Sequence, residues 1–248
     1  MKSALLFCLA GLIGALTTGP AAALECQNIR FEDTPFSLCE ADMSTDKIQL
    51  FLRDENGETL GQFSRVRQVL QAQDQTLGFA MNAGMYHDDR SPVGHYVENH
   101  KTEMRVIPNA GPGNFGLLPN GVFCIRDGRA DVFETLDFLK QEPACEFATQ
   151  SGPMLVIDGA LHPRFLVDST SRYVRNGVGT SADGQRVVFA ISNRPVTFHK
   201  FGRFFRDVLK VPQALYFDGR ISRIYAPQLN RDDPGFTLGP IVGVVSAK

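Results

Sequence analysis

Polar and apolar residues alternate along Lys47-Ile48-Gln49-Leu50 before the run closes on Phe51-Leu52, the signature of a half-buried strand. The period then changes. Phe63, Val66 and Leu70 fall at i, i+3 and i+7 with Ser, Arg and Gln between them, which predicts an amphipathic helix over residues 62–72. Leu77-Gly78-Phe79-Ala80-Met81 is apolar without alternation, as in a buried strand, and gives way to the turn-formers Asn82-Ala83-Gly84.

One device repeats through the middle of the chain. Gly121 to Glu134, Gly152 to His162 and Val174 to Ser192 each place two apolar stretches around an Asp-Gly pair, at 127–128, 158–159 and 183–184. Asp-Gly tolerates the positive φ of tight turns, so three hairpins are predicted. Phe201, Phe204, Phe205 and Val208 share a face beside Arg203 and Arg206, giving a second helix over residues 201–210 that Pro212 stops. Strands follow at Ala214 to Phe217, Ile221 to Tyr225 and Ile241 to Val245. The expectation is an α+β fold: a strand-rich twisted sheet, built largely from hairpins and covered by two main helices.

Composition adds a compartment. Lys2, the apolar run Ala4 to Leu16 and the small residues Ala21-Ala22-Ala23 read as a signal peptide over residues 1–23. Thr17 to Pro20 break the run before it reaches membrane-spanning length, and Phe7 is too bulky for Cys8 to be a lipid-anchor site. A periplasmic or secreted protein with no membrane span after cleavage is expected. Lys2 is the only charge in that leader, so its loss takes the formal net charge from −2 to −3, which argues against a nucleic-acid partner. Cys26, Cys39, Cys124 and Cys145 remain, an even count that suits disulfides in an oxidising compartment. Four cysteines allow three pairings. The local one, Cys26–Cys39 with Cys124–Cys145, is preferred because each bond closes a modest loop. Without a C-x-x-C pair or a histidine at ligand spacing, zinc is the weaker reading.

Familiar catalytic signatures are missing: there is no G-x-S-x-G, P-loop, H-E-x-x-H or EF-hand loop. Glycine-punctuated polar segments at strand ends stand out instead: Asn82-Ala83-Gly84-Met85-Tyr86, Gly113 to Phe123, Ser151 to Gly159, Arg175-Asn176-Gly177-Val178-Gly179 and Leu215-Tyr216-Phe217-Asp218-Gly219. Loops at strand ends are where a rigid scaffold presents functional groups. In this order the segments resemble the motifs of the phosphodiester glycosidase family, which includes the lysosomal uncovering enzyme of animals. The likeness runs from about residue 45 to the C-terminus, so residues 24–248 are expected to form one domain of that kind. One departure is visible. Asp218-Gly219 continues as Arg220-Ile221-Ser222 where the family often has D-G-G-x-S, which leaves the sugar preference open.

The resemblance implies hydrolysis of a sugar-1-phosphodiester, a small molecule or glycan, at the bond between the anomeric carbon and a phosphodiester oxygen. No cofactor is expected. Arg175, between a strand and two glycines, is the candidate phosphate clamp, since a guanidinium meets two phosphate oxygens at once. Its bland alternative is a surface arginine on a hairpin. Asp218, at the end of an apolar strand, is the candidate carboxylate beside an oxocarbenium-like carbon; its alternative is a fourth Asp-Gly turn. Asn82, Gly84, Asn114, Ser151, Gly152, Gly219 and Ser222 are candidates for substrate contact through amide, hydroxyl or backbone N–H groups. The loop His87-Asp88-Asp89 is where a structural divalent cation would sit, against the reading of a solvated turn. Two rival functions are an exported module that binds glycans without cleaving them, and a metal-dependent phosphodiesterase, which five scattered histidines make hard to build.

Overall fold

The structure is a computed structural model and describes residues 24–247; the leader and Cys8 lie outside those residues. Strands dominate, and they form three antiparallel sheets rather than the single one expected. The first sheet has the order Glu25–Phe31, Thr34–Asp42, Arg186–Ser192, Asn176–Thr180, Gln213–Asp218, Met154–Ile157, Ala160–Leu161. Arg231–Asp232, Ile224–Ala226, Gln75–Asn82, Ile241–Ala247 and Lys47–Phe51 make the second. The third runs Lys101–Met104, Tyr96–Glu98, Phe147–Ser151, Gly121–Arg126, Arg129–Glu134.

The sheets meet at an aromatic centre. Phe79 of the second sheet lies 4.9 Å from Phe189 of the first, and Phe123 of the third stands edge-on to Phe189 at 5.9 Å and to Phe217 at 6.4 Å. All four rings are fully buried. Each removes an area that stabilises by roughly 1.5–3 kcal/mol, so this junction is a main bond between sheets.

The three predicted hairpins are present. Asp127-Gly128, Asp158-Gly159 and Asp183-Gly184 each join neighbouring antiparallel strands, with positive φ at Gly128, Gly159 and Gly184. Asp218-Gly219 does something else. The strand before it pairs within the first sheet, whereas the next strand, Ile224–Ala226, pairs with Gln75–Asn82 in the second. The fourth Asp-Gly is a crossing between sheets and not a hairpin turn.

The helix Phe63–Ala72 buries Phe63, Val66 and Leu70, the stripe its spacing predicts. The second predicted helix is shifted. It begins at Phe198, where the Thr197 hydroxyl accepts from Lys200 N at 3.1 Å, and runs helically only to Arg203. Phe204–Val208 then form a π turn, closed by Leu209 N donating to Phe204 O at 3.1 Å. That extra residue per turn rotates the apolar face. Leu209 is buried and Val208, expected inside, is exposed. A third helix, Thr135–Gln141, was not anticipated. Glu134 caps it, its carboxylate accepting from Leu136 N at 2.8 Å and Asp137 N at 3.1 Å. The strand expected from Ile221 starts at Ile224.

Cys26–Cys39 and Cys124–Cys145 are the disulfides, the preferred pairing. The first joins directly opposite residues of the outermost hairpin of the first sheet. No described helix is long and apolar enough to cross a membrane.

Candidate active site

Strands from all three sheets end at one place. Asn82 ends a strand of the second sheet, Ser151 one of the third and Asp218 one of the first. Asn176 begins the strand that pairs with Asp218, and Arg175 precedes it by one residue.

Asn176 is the node. Its Nδ2 donates to Asn82 O at 2.8 Å, and its Oδ1 accepts from Asn82 Nδ2 at 3.2 Å and from Asp218 N at 3.1 Å. Asn82 Oδ1 accepts from Arg223 N at 2.9 Å. The Ser222 hydroxyl lies 2.7 Å from Asp218 O, 3.0 Å from Val174 O and 3.2 Å from Asn176 Oδ1, three acceptors for one proton. Ser151 Oγ donates to Phe217 O at 2.9 Å. Asn82, Asn176 and Ser151 are fully buried. In this arrangement the amide of Asn82 and the hydroxyls of Ser151 and Ser222 spend their hydrogen bonds on joining the sheets beneath the site, a satisfied polar network that fixes the strand ends.

Arg175 lies above this layer and is fully buried. Its Nε donates to Val196 O at 2.9 Å and its Nη2 to Ser171 O at 3.3 Å. The guanidinium carbon sits 3.6 Å over the Phe198 ring, with the Tyr216 and Tyr173 rings at 5.3 and 5.4 Å. Among the described residues no carboxylate is within ion-pair distance, and Nη1 has no hydrogen-bond partner. Burial lowers the proton affinity of the guanidinium and the Tyr216 hydroxyl beside it acts the other way. An arginine remains charged under such a shift. The result is a buried cation without a counter-ion.

Tyr216 connects the two candidate charges. Its hydroxyl is within reach of the Arg175 guanidinium and of the Asn114 side chain, and it feels the charge of Asp218. Burial pushes its pKa well up, so it holds its proton at neutral pH. Asp218 is partly buried, and its Oδ1 accepts from Gly219 N at 2.6 Å and Arg220 N at 2.8 Å. Burial raises its pKa; the amides of Arg220, Gly219 and Ile221 pull in the opposite direction. A Cβ on Gly219 would collide with the Tyr216 hydroxyl, so only glycine lets that turn close over it.

The remaining candidates fall around this centre. Asn114 is exposed on a loop braced from behind: Asn120 Nδ2 donates to Phe115 O at 2.9 Å and Gln150 Nε2 to Ile107 O at 2.8 Å. Gly84 N donates to Thr149 Oγ1 at 3.2 Å in space that a Cβ would fill. Gly152 packs against the Asn120 side chain. His87, Asp88 and Asp89 are exposed, and the Asp89 carboxylate accepts from Ser91 N and Oγ. Among the described residues no three His, Cys, Asp or Glu side chains group as metal ligands.

Sequence reasoning missed Asn176, Tyr216, Tyr86 and Arg223. The first three stand inside motif segments, so position in a motif was a usable signal. The Tyr86 hydroxyl is buried without a partner among the described residues, and the charge of Asp218 adds to burial in raising its pKa. Arg223 had no sequence signal.

The profile of the phosphodiester glycosidase family matches residues 75–237. That span covers every segment of the site. The chain belongs to the phosphodiester glycosidase family. It is 32% identical over 213 residues to the uncharacterized protein YigE of Escherichia coli (strain K12), covering 85% of this chain and 83% of that one. Among solved structures, the fold is similar to the zebrafish N-acetylglucosamine-1-phosphodiester alpha-N-acetylglucosaminidase catalytic domain auto-inhibited by its pro-peptide. The TM-score is 0.62 at 12% identity, over 91% of this chain and 84% of that domain. A protein of Burkholderia pseudomallei K96243 described as exported gives a TM-score of 0.54 at 10% identity, over 85% of this chain and 74% of that one. At these identities the structural likenesses speak for the fold, and the family membership rests on the profile.

Proposed function

We propose that this member of the phosphodiester glycosidase family is an extracytoplasmic hydrolase that cleaves the bond between a sugar's anomeric carbon and a phosphodiester oxygen. The observation that carries the reading is the uncompensated Arg175. Burying a charge is costly unless it is paired, and the one missing partner here is an anion. A phosphodiester supplies one negative charge and gains another as the anomeric C–O bond breaks, so the guanidinium would hold the departing phosphate more tightly than the bound substrate. Tyr216, protonated and beside Arg175, is suited to donate a hydrogen bond to the same phosphate, and Asn114 to orient that hydroxyl. Asp218 as carboxylate would face the positive charge that develops on the sugar carbon. In the net reaction a water oxygen bonds to the anomeric carbon, the C–O bond to phosphate breaks with its electron pair leaving on the phosphate, and one water proton is released. The two disulfides support an oxidising compartment.

A second reading is a glycan-binding module of the same fold. It is favoured by the Asp218 carboxylate already accepting from its own turn. Release of phosphomonoester from a soluble sugar-1-phosphodiester, compared between the native protein and Asp218→Asn, separates the two. Turnover lost in the variant supports hydrolysis. No turnover by the native protein on a broad panel, with glycan binding retained, supports the module.

A further inference from the structure

Residues 163–173, between the strand Ala160–Leu161 and Arg175, contain no strand or helix. Their apolar side chains divide in two. Phe165 turns inward and stacks on Phe198 at 5.2 Å, the same ring that lies under the Arg175 guanidinium. Leu166, Val167 and Tyr173 turn outward and are 65, 77 and 51% exposed. The segment is held at its end by Tyr173 N donating to Val196 O at 3.1 Å and Val196 N to Tyr173 O at 2.8 Å. Leu166 and Val167 thus put two adjacent aliphatic side chains into water beside a segment anchored at Tyr173.

The cations nearby in the chain or across the turn lack close ion pairs, although the charge of Arg220 acts on Asp218. Arg164 and Arg172 lie in the segment, Arg194 stands two residues before Val196, and Arg220 follows Gly219, whose backbone abuts Tyr173. All four are exposed, and among the described residues none has a carboxylate within ion-pair distance. Elsewhere on the surface Arg65, Arg129, Arg186, Arg203 and Arg231 each pair with one, while the exposed Arg30 and Arg105 bond only to backbone carbonyls. Asp168 is the single carboxylate in the segment.

We infer that this rim is a membrane-contact face, which seats the protein on an anionic bilayer and delivers to the Arg175 site sugar-1-phosphodiesters whose aglycone is a lipid. Leu166 and Val167 enter the headgroup boundary while the four arginines meet lipid phosphates. A soluble anionic glycan would satisfy the arginines and leave the aliphatic pair in water; a bilayer answers both. The substrate half of this inference rests on the glycosidase reading above, and the seating stands without it.

Flotation of the full chain with vesicles of mixed phosphatidylcholine and phosphatidylglycerol, beside vesicles of phosphatidylcholine alone, tests the seating. Binding to the mixed vesicles is expected, released by salt. Arg164→Gln and Arg172→Gln should each weaken it about fivefold, and the double variant Leu166→Ser with Val167→Ser about tenfold. Hydrolysis of a soluble sugar-1-phosphodiester should be unchanged in all of these, whereas a lipid-linked one on the mixed vesicles should be cleaved more slowly. Absence of vesicle binding by the native protein, or equal binding by the variants, overturns the seat, as does retention on a protein partner in its place. Vesicle binding without hydrolysis of either substrate leaves the seat standing and removes the glycosidase reading.

Discussion

Arg175 and Arg223 are both buried arginines at the edge of the same polar network, and their surroundings differ in one respect. Every side-chain nitrogen of Arg223 is bonded. Its Nε and Nη2 donate to Asp233 O at 2.9 and 2.7 Å, its Nη1 to Phe236 O at 2.7 Å, and Nη2 also to Gln62 Oε1 at 3.0 Å. It pins residues 233–236 to the helix that begins at Phe63. Arg175 makes two bonds to carbonyls, rests on an aromatic face and keeps Nη1 unpaired among the described residues. A buried guanidinium bonded at every nitrogen acts as scaffold; one with an unpaired nitrogen and no counter-charge is the anion site proposed above.

The largest expected effect separates the two by substitution. Arg175→Gln should lower kcat/KM on a sugar-1-phosphodiester by about 10³-fold, with a smaller fall in Tm than Arg223→Gln, because removal of an uncompensated buried charge offsets the two carbonyl bonds that are lost. Arg223→Gln should do the reverse in kind. It leaves several buried carbonyls without donors and should cost about 3 kcal/mol or more, read as a fall in Tm. If Arg175→Gln melts far below the native protein at full specific activity, the contrast is broken.

A ligand sharpens the same contrast. Inorganic phosphate at about 100 times its Kd should stabilise the native protein by about 2.7 kcal/mol, seen as a rise in Tm. The rise should vanish in Arg175→Gln and persist in a folded Arg223 variant.

Asp218 makes a smaller prediction. The pKa of Asp218 is raised by burial, so the acid limb of the kcat/KM profile should lie above the ordinary aspartate value of about 3.9. The sign for stability is the opposite of the salt-bridged case. A raised carboxyl pKa penalises the folded anion at pH above the folded pKa, and the penalty disappears below the unfolded one. Asp218→Asn should therefore lose activity while raising Tm at neutral pH by about 2 °C, with no gain at pH 3. A fall in Tm at both pH values would mean that the turn needs the charge.

Much of the local structure was legible in the residues. The Asp-Gly pairs with apolar flanks specify three hairpins because the turn chemistry is local, and Phe63, Val66 and Leu70 specify their helix by spacing. The seven-residue helix Thr135–Gln141 was too short for a period to register, and the π turn at Phe204–Val208 moved the buried face from Val208 to Leu209 by one residue. Division into three sheets was hidden because strand pairing is non-local. For the same reason Asp218-Gly219 could not be told from a turn: what distinguishes it is that the next strand joins a different sheet. The motifs pointed to strand ends that the three sheets bring together. They did not show that Asn82, Ser151 and Ser222 bond inward while Tyr216 feels both charges.

Because Asn82, Ser151 and Asp218 come from three separate sheets, the constellation exists only while all three are docked. Loosening of any one layer, even with its own ladder of strands intact, would pull a corner out of the site. Catalysis should then fade on warming before secondary structure does, making turnover a more sensitive gauge of how the layers are seated than any measure of strand content.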